Sequence, residues 1–393
     1  MIYMQNAVYT QAWDYLDEGV EPVLGRIRET GCREVIVAMA YHAGRFLLPH
    51  NPKRRIYYPE DGVVYFKPDE TRYAGQRLKP VIASTLGGRD LMAEIIEKAK
   101  KTGLSVTAWL VCLHNSRLGF LHPKVVARNA FGDPYYHYLC PMNEDASEYV
   151  LSLLKDFTSR YACNGIFLES LSYSGFEHGY HHEFYGVTMN SKLSALLGLC
   201  FCDSCRKAAK KLGIDIERMA RAVRQRIDEC IAESRKGQRL DHGRIMETLG
   251  KLPGMKKYLG MRCERVEQLL SKARRITAER KMRLDYFGPV FAPANMSVME
   301  GIDLLRVGKR IDRYVLRSEE KEPEMVEKEI RYAKRYFRPE KIVLSLRLFD
   351  RTTPSQGNLK AKVELAKRHG LAGCNFYNYG MVPLERLNWI KDG

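Results

Sequence analysis

A chain of 393 residues that is 45% hydrophobic and 28% charged is too apolar for a disordered protein and too long for a bare coiled coil; it calls for two ordinary domains or one large single-core fold. No run of about 18 apolar residues occurs, which excludes a membrane-spanning helix, and the opening Met1-Ile2-Tyr3-Met4-Gln5-Asn6 lacks the basic and apolar regions of an export signal, so a cytoplasmic protein is expected. The net charge of +17 is concentrated: Arg206–Arg283 holds 23 Lys+Arg against 10 Asp+Glu, leaving only +4 for the rest of the chain.

Short β-branched or aliphatic runs alternate with longer amphipathic stretches. Strands are predicted at Ala7–Thr10, Glu34–Ala40, Ser105–Cys112, Gly165–Glu169, Met282–Tyr286, Arg313–Leu316, Lys341–Leu348 and Cys374–Tyr377, and helices at about 16–30, 89–102, 145–161, 191–235, 297–308, 321–337, 357–369 and 383–391. Eight such units predict an α/β fold, a (β/α)8 TIM barrel. An open doubly wound sheet would need fewer strands and a Gly-rich first turn, and no GxGxxG follows a predicted strand. Two connections are long: Tyr41–Gly87, rich in Pro, Tyr and Arg, after the second strand, and Ser191–Lys281, basic and helical, after the fourth. The chain therefore divides into a first half-barrel (1–205), a basic helical insertion (206–280) and a second half-barrel (281–393). The insertion reads as a solvated helical face or a contact for a homo-oligomer.

In such a barrel the residues just past each strand's C-terminal end form the site. Those positions hold His42 and Arg45 after the second strand, His114 after the third, Glu169 at the end of the fourth, Asp285 in the fifth, Asp350 after the seventh, and Tyr377 and Asn378 at the eighth. Aromatic rings among carboxylates, His and Arg suit a carbohydrate, whose C–H faces stack on rings while its hydroxyls bind polar groups. Glu169 closes the apolar run Gly165-Ile-Phe-Leu-Glu169, and a carboxyl at the edge of a water-poor core is expected to hold its proton as a general acid must. A glycosidase needs a second carboxylate, about 5–5.5 Å away if it retains configuration and about 6.5–9.5 Å if it inverts. Asp350 and Asp285 compete for that role, with Glu319 and Glu320 behind them. The run Glu177-His178-Gly-Tyr-His181-His182-Glu183 matches neither HExxH nor HxxEH, and His181 and His182 read as substrate contacts.

Ten cysteines without an export signal point to burial or metal binding. Cys200-x-Cys202-x-x-Cys205 offers three thiolates to one tetrahedral zinc, and Cys140, in Cys140-Pro-Met-Asn143, is the best candidate for the fourth. The order Cys140-Pro-x-Asn, helix, strand ending in Glu169, then CxCxxC resembles the zinc-bearing β-galactosidases of glycoside hydrolase family 42 and related uncharacterised glycosidase-like barrels. The resemblance covers roughly Tyr138–Lys211. It implies one structural zinc on Cys140, Cys200, Cys202 and Cys205 and an acid/base role for Glu169. The chain departs from that pattern at Leu168, where the family has Asn, and at Asp350, near which the family carries a Glu nucleophile.

The leading expectation is a hydrolase of glycosidic bonds. Two others stand beside it: a polyanion or nucleic-acid binder that uses the basic segment, disfavoured because no binding motif is present, and a metal-dependent hydrolase or isomerase built on His178–His182.

Overall fold

The computed structural model describes residues 4–177, 186–235, 245–288 and 296–391. Eight parallel strands, β1 (Ala7–Gln11), β2 (Glu34–Tyr41), β3 (Ser105–Val111), β4 (Gly165–Glu169), β5 (Arg283–Gly288), β6 (Arg313–Ser318), β7 (Ile342–Arg347) and β8 (Gly373–Tyr377), pair in chain order. β1 pairs with both β2 and β8, so the sheet closes into a (β/α)8 barrel. Every predicted strand forms, with ends displaced by no more than two residues. They form because each run is short and largely apolar, one face covered by helices and the other turned into the barrel; β2 is buried along its whole length.

Helices Leu91–Thr102, Glu144–Arg160 and Gln356–Arg368 begin at Asp90, Asn143 and Ser355, whose side chains accept backbone N–H groups of the first turn. Gly103 ends the first of these at φ 68°, a conformation that costs glycine little. The predicted helix over 191–235 is three helices, Ser191–Leu197, Asp203–Lys211 and Ile216–Arg235, interrupted near Gly198 and Gly213. Helix Met255–Glu279 packs on Glu144–Arg160 and β5. Its Arg265 donates to Pro141 O and Ser147 Oγ, both at 2.8 Å. This last part of the 206–280 segment thus stands in the barrel wall. None of the described helices is long and apolar enough to cross a membrane.

The barrel interior is layered. Near its N-terminal end Arg283 of β5 forms ion pairs with Glu34 of β2 and with Asp285, while Arg313 of β6 lies 3.7 Å from Glu34. Above this, Tyr9 packs its ring against Trp109, Phe167 and Tyr377 at 5.5, 5.8 and 5.5 Å. β1 and β4 are not neighbours in the sheet, so Tyr9 and Phe167 meet through the interior. The next inward positions, two residues on, are Glu169, Phe287, Arg317, Arg347 and Tyr377, which floor the C-terminal mouth.

Candidate active site

Glu169 ends β4 and accepts a hydrogen bond from the Trp109 indole, Nε1 to Oε2 at 2.8 Å. Burial raises its pKa, against the opposing pull of Arg317, the Trp109 bond and Arg347. Desolvation is the largest of these influences. Ser170, immediately after it, has φ 57°, an uncommon conformation for a residue with a side chain. Backbone bonds from Cys112 N to Glu169 O (2.9 Å) and from Leu113 N to Ser170 O (3.1 Å) hold it there. Local strain maintained next to a reactive group is a frequent mark of functional positions.

The sequence-derived candidates take distinct places. His42 lies between Tyr41 and His114, with ring centroids 4.4 and 4.3 Å away and nearly parallel planes. Tyr377 stands at the mouth beneath Arg347, whose guanidinium is 5.9 Å from the ring centroid. Arg45 is exposed on the loop beyond His42. Asn378 is fully buried, its Oδ1 accepting from Gly380 N at 3.0 Å. His178, His181 and His182 lie outside the described residues.

Neither carboxylate expected to partner Glu169 faces it across the mouth. Asp285 is gripped by the Arg283 guanidinium through contacts of 2.8 to 3.0 Å and is 3% exposed. It stands one inward layer below the mouth, since Leu168 pairs with Tyr286 and thereby sets Glu169 level with Phe287. Asp350 is paired with Arg386 on the outer rim, its side chain 88% exposed. A strand's inward alternation decides the first placement, and the direction of a loop the second.

Glu300, which the sequence reading passed over, is a third candidate. It ends the short turn Met296–Glu300 after β5, and its carbonyl accepts from Tyr173 N at 2.8 Å, tying it to the loop after β4. Burial pushes its carboxyl up to about 7, opposed by Arg317 and Arg262. Arg317 thus acts on both Glu169 and Glu300. The only sequence signal was an acidic residue in a segment expected to be helical, which gave no reason to look inward. A second feature went unread: after β3 the helix Ser116–Leu121 packs on a hairpin, Val126–Arg128 with Pro134–Leu139, that carries His137 to 5.9 Å from His114. The contact is so close that a Cβ on Gly119 would lie 1.8 Å from Tyr136 O. Pro134-Tyr-Tyr-His-Tyr-Leu139 has too little aliphatic alternation to announce a strand.

Beside the mouth, Cys140, Cys200, Cys202 and Cys205 are all buried, with sulfurs within 4.8 Å of one another. Cys140 Sγ is 3.6 Å from Cys205 Sγ and 3.8 Å from Cys200 Sγ. A tetrahedral ion with bonds of about 2.3 Å to sulfur sets its ligands about 3.8 Å apart, so the four thiols fit a metal without rearrangement. Cys202 caps helix Asp203–Lys211 and Cys205 lies in its first turn, where the helix dipole favours thiolates. The charge surroundings fit as well. Arg262 is fully buried, with Nε and Nη1 lacking hydrogen-bond partners. Its guanidinium lies 4.0 Å from the ring centroid of Tyr173, whose hydroxyl is 3.9 Å from Cys205 Sγ. Four thiolates on a divalent ion carry a net negative charge, which this otherwise costly buried cation would balance.

No family model matches the chain, and no curated protein does. Solved structures do. The PgaB (BpsB) glycoside hydrolase domain from Bordetella bronchiseptica superposes with a TM-score of 0.56 at 14% identity, over 98% of either chain. The catalytic domain of β-amylase from Paenibacillus polymyxa gives 0.55 at 11% identity, over 99% of this chain and 97% of that one. A β-galactosidase from the psychrophilic Marinomonas ef1 gives 0.57 at 12% identity, over 99% of this chain and 59% of that one. At these identities the likeness is one of fold.

Proposed function

We propose that this barrel hydrolyses a glycosidic bond, with Glu169 as the proton donor. The observation that carries the reading is a carboxyl at the end of β4, held by Trp109 Nε1 at 2.8 Å and driven toward its protonated form by burial. Its position in a mouth walled by Tyr41, Tyr377 and Trp109 suits a sugar ring. Asp285 and Asp350 were the sequence's choices for the second carboxylate; their ion pairs with Arg283 and Arg386 argue against both, and Glu300 takes the role in our reading. The working pair carries one proton. In the state that reacts, Glu169 gives it to the glycosidic oxygen as the C–O bond breaks, while Glu300 takes a proton from the water whose oxygen bonds to the anomeric carbon; because burial holds Glu300 up at about 7, that state forms only as pH rises toward neutrality. Arg45, His42, His114, His181, His182, Tyr377 and Asn378 remain the proposed sugar-binding set, with His42 and Tyr377 the best placed.

Cys140, Cys200, Cys202 and Cys205 would hold one zinc, a choice favoured by four thiolates at tetrahedral spacing. A zinc with four protein ligands supplies structure alone. The cysteines bind the hairpin after β3 to the loop after β4, and Arg262 sets the charge of that junction.

The test is hydrolysis of a panel of aryl glycosides by the wild type and Glu169→Gln. Loss of about 10²-fold or more in kcat, with unchanged circular dichroism, is expected. Wild-type turnover in the variant would remove Glu169 as the acid.

A further inference from the structure

The floor of the mouth carries more positive charge than a neutral sugar needs. Arg317 ends β6's inward row and Arg347 ends that of β7, the neighbouring strand; their side chains are 28% and 24% exposed. Each is fixed over a ring: Arg317 is 5.3 Å from the centroid of Phe287 and Arg347 is 5.9 Å from that of Tyr377. Their common salt-bridge partner is Glu319, and both guanidinium groups approach the same oxygen, Oε1, at 3.3 and 3.0 Å. One carboxylate oxygen cannot saturate two guanidinium forks with five N–H donors each. Glu319 is itself 47% exposed, and an ion pair so open to water holds weakly. The rings give each cation a second contact that remains when Glu319 leaves.

We infer that Arg317 and Arg347 form a subsite for an anionic substituent on the sugar, in the first instance the carboxylate of a hexuronic acid, which displaces Glu319 and binds the two forks across β6 and β7. Planar guanidinium groups match a carboxylate through paired N–H···O bonds, an advantage that a lysine would not give. The inference rests on the glycosidase reading for its chemistry, though the binding itself does not require turnover. It makes the substrate an acidic glycan and gives Glu319 the role of a gatepost that leaves when the substrate arrives.

The experiment compares matched aryl hexuronides, sugar sulfates and neutral hexosides with the wild type, Arg347→Gln and Arg347→Lys, together with calorimetric binding of uronic-acid and neutral oligosaccharides to Glu169→Gln. A preference of about tenfold or more in kcat/KM for hexuronides is expected. It should collapse in Arg347→Gln mainly through KM and return only in part in Arg347→Lys, the loss on hexuronides exceeding that on neutral hexosides by about tenfold. Preference for sulfated sugars with the same arginine dependence would keep the subsite and overturn the carboxylate assignment. Equal use of neutral and acidic sugars, or an equal loss on both in the arginine variants, overturns the inference and leaves the hydrolase standing. If no glycoside is cleaved, calorimetry decides: tenfold tighter binding of the uronic oligosaccharide upholds the subsite while the hydrolase reading fails, and equal or absent binding removes the subsite.

Discussion

Two carboxyl groups at the mouth are held above their ordinary pKa by the same cause, removal from water, but their neighbours differ. Glu169 has an indole N–H and two guanidinium groups to favour its ionised form; Glu300 has Arg317 and Arg262 and rises to about 7. A folded-state pKa above the unfolded value means that the native chain binds the extra proton between about 4.5 and 7. Glu300 therefore costs little stability at pH 4, and its burial becomes destabilising as pH rises from about 4.5 to about 7, above which the loss levels off. Urea melts at pH 5 and pH 8 should differ by about 2 kcal/mol more in the wild type than in Glu300→Gln, the wild type being the more pH-sensitive. An unchanged difference would mean that Glu300 is hydrated in solution. Neither group's role follows from residue type: Asp285 is as acidic and more deeply buried, yet Arg283 closes around it.

Among the elements, the loops after β3 and β4 are joined by four thiols, and that junction should depend on metal. One bound zinc per chain is expected by elemental analysis. Cys205→Ser should lower stability by more than about 3 kcal/mol, because a broken site leaves three clustered thiols and deprives the buried Arg262 of the negative charge of the thiolates. Chelation should reproduce the loss in thermal melts; a chain that melts identically with and without chelator would show the cluster to be only packed sulfur. The cysteine spacing was readable because short-range ligand geometry is written as separation along the chain. The hairpin Val126–Arg128/Pro134–Leu139 was not, since its aromatic strand is stabilised by the helix and histidines that it meets.

At the scale of the whole molecule, the barrel's lower end is closed by charge rather than hydrocarbon: Arg283 reaches across from β5 to Glu34 of β2 and holds Asp285 on its own strand. Arg283→Met should cost on the order of 3–5 kcal/mol in chemical denaturation, because it strands two buried carboxylates; a loss below about 1 kcal/mol would show that water reaches them. The eight strands and most of their helices were legible because a parallel barrel demands short, largely apolar runs between amphipathic segments, a demand met residue by residue along the chain. The clustering of the four cysteines and the place of Glu169 at a strand end were legible for a similar reason: close cysteine spacing and the end of an apolar run are local facts. Which carboxylate would accompany Glu169 was not. Whether Asp285, Asp350 or Glu300 faces the mouth depends on strand register and on the path of loops closing around a common axis. Those relations set residues of β6 and of the turn after β5 near the end of β4, and no separation along the chain encodes that distance.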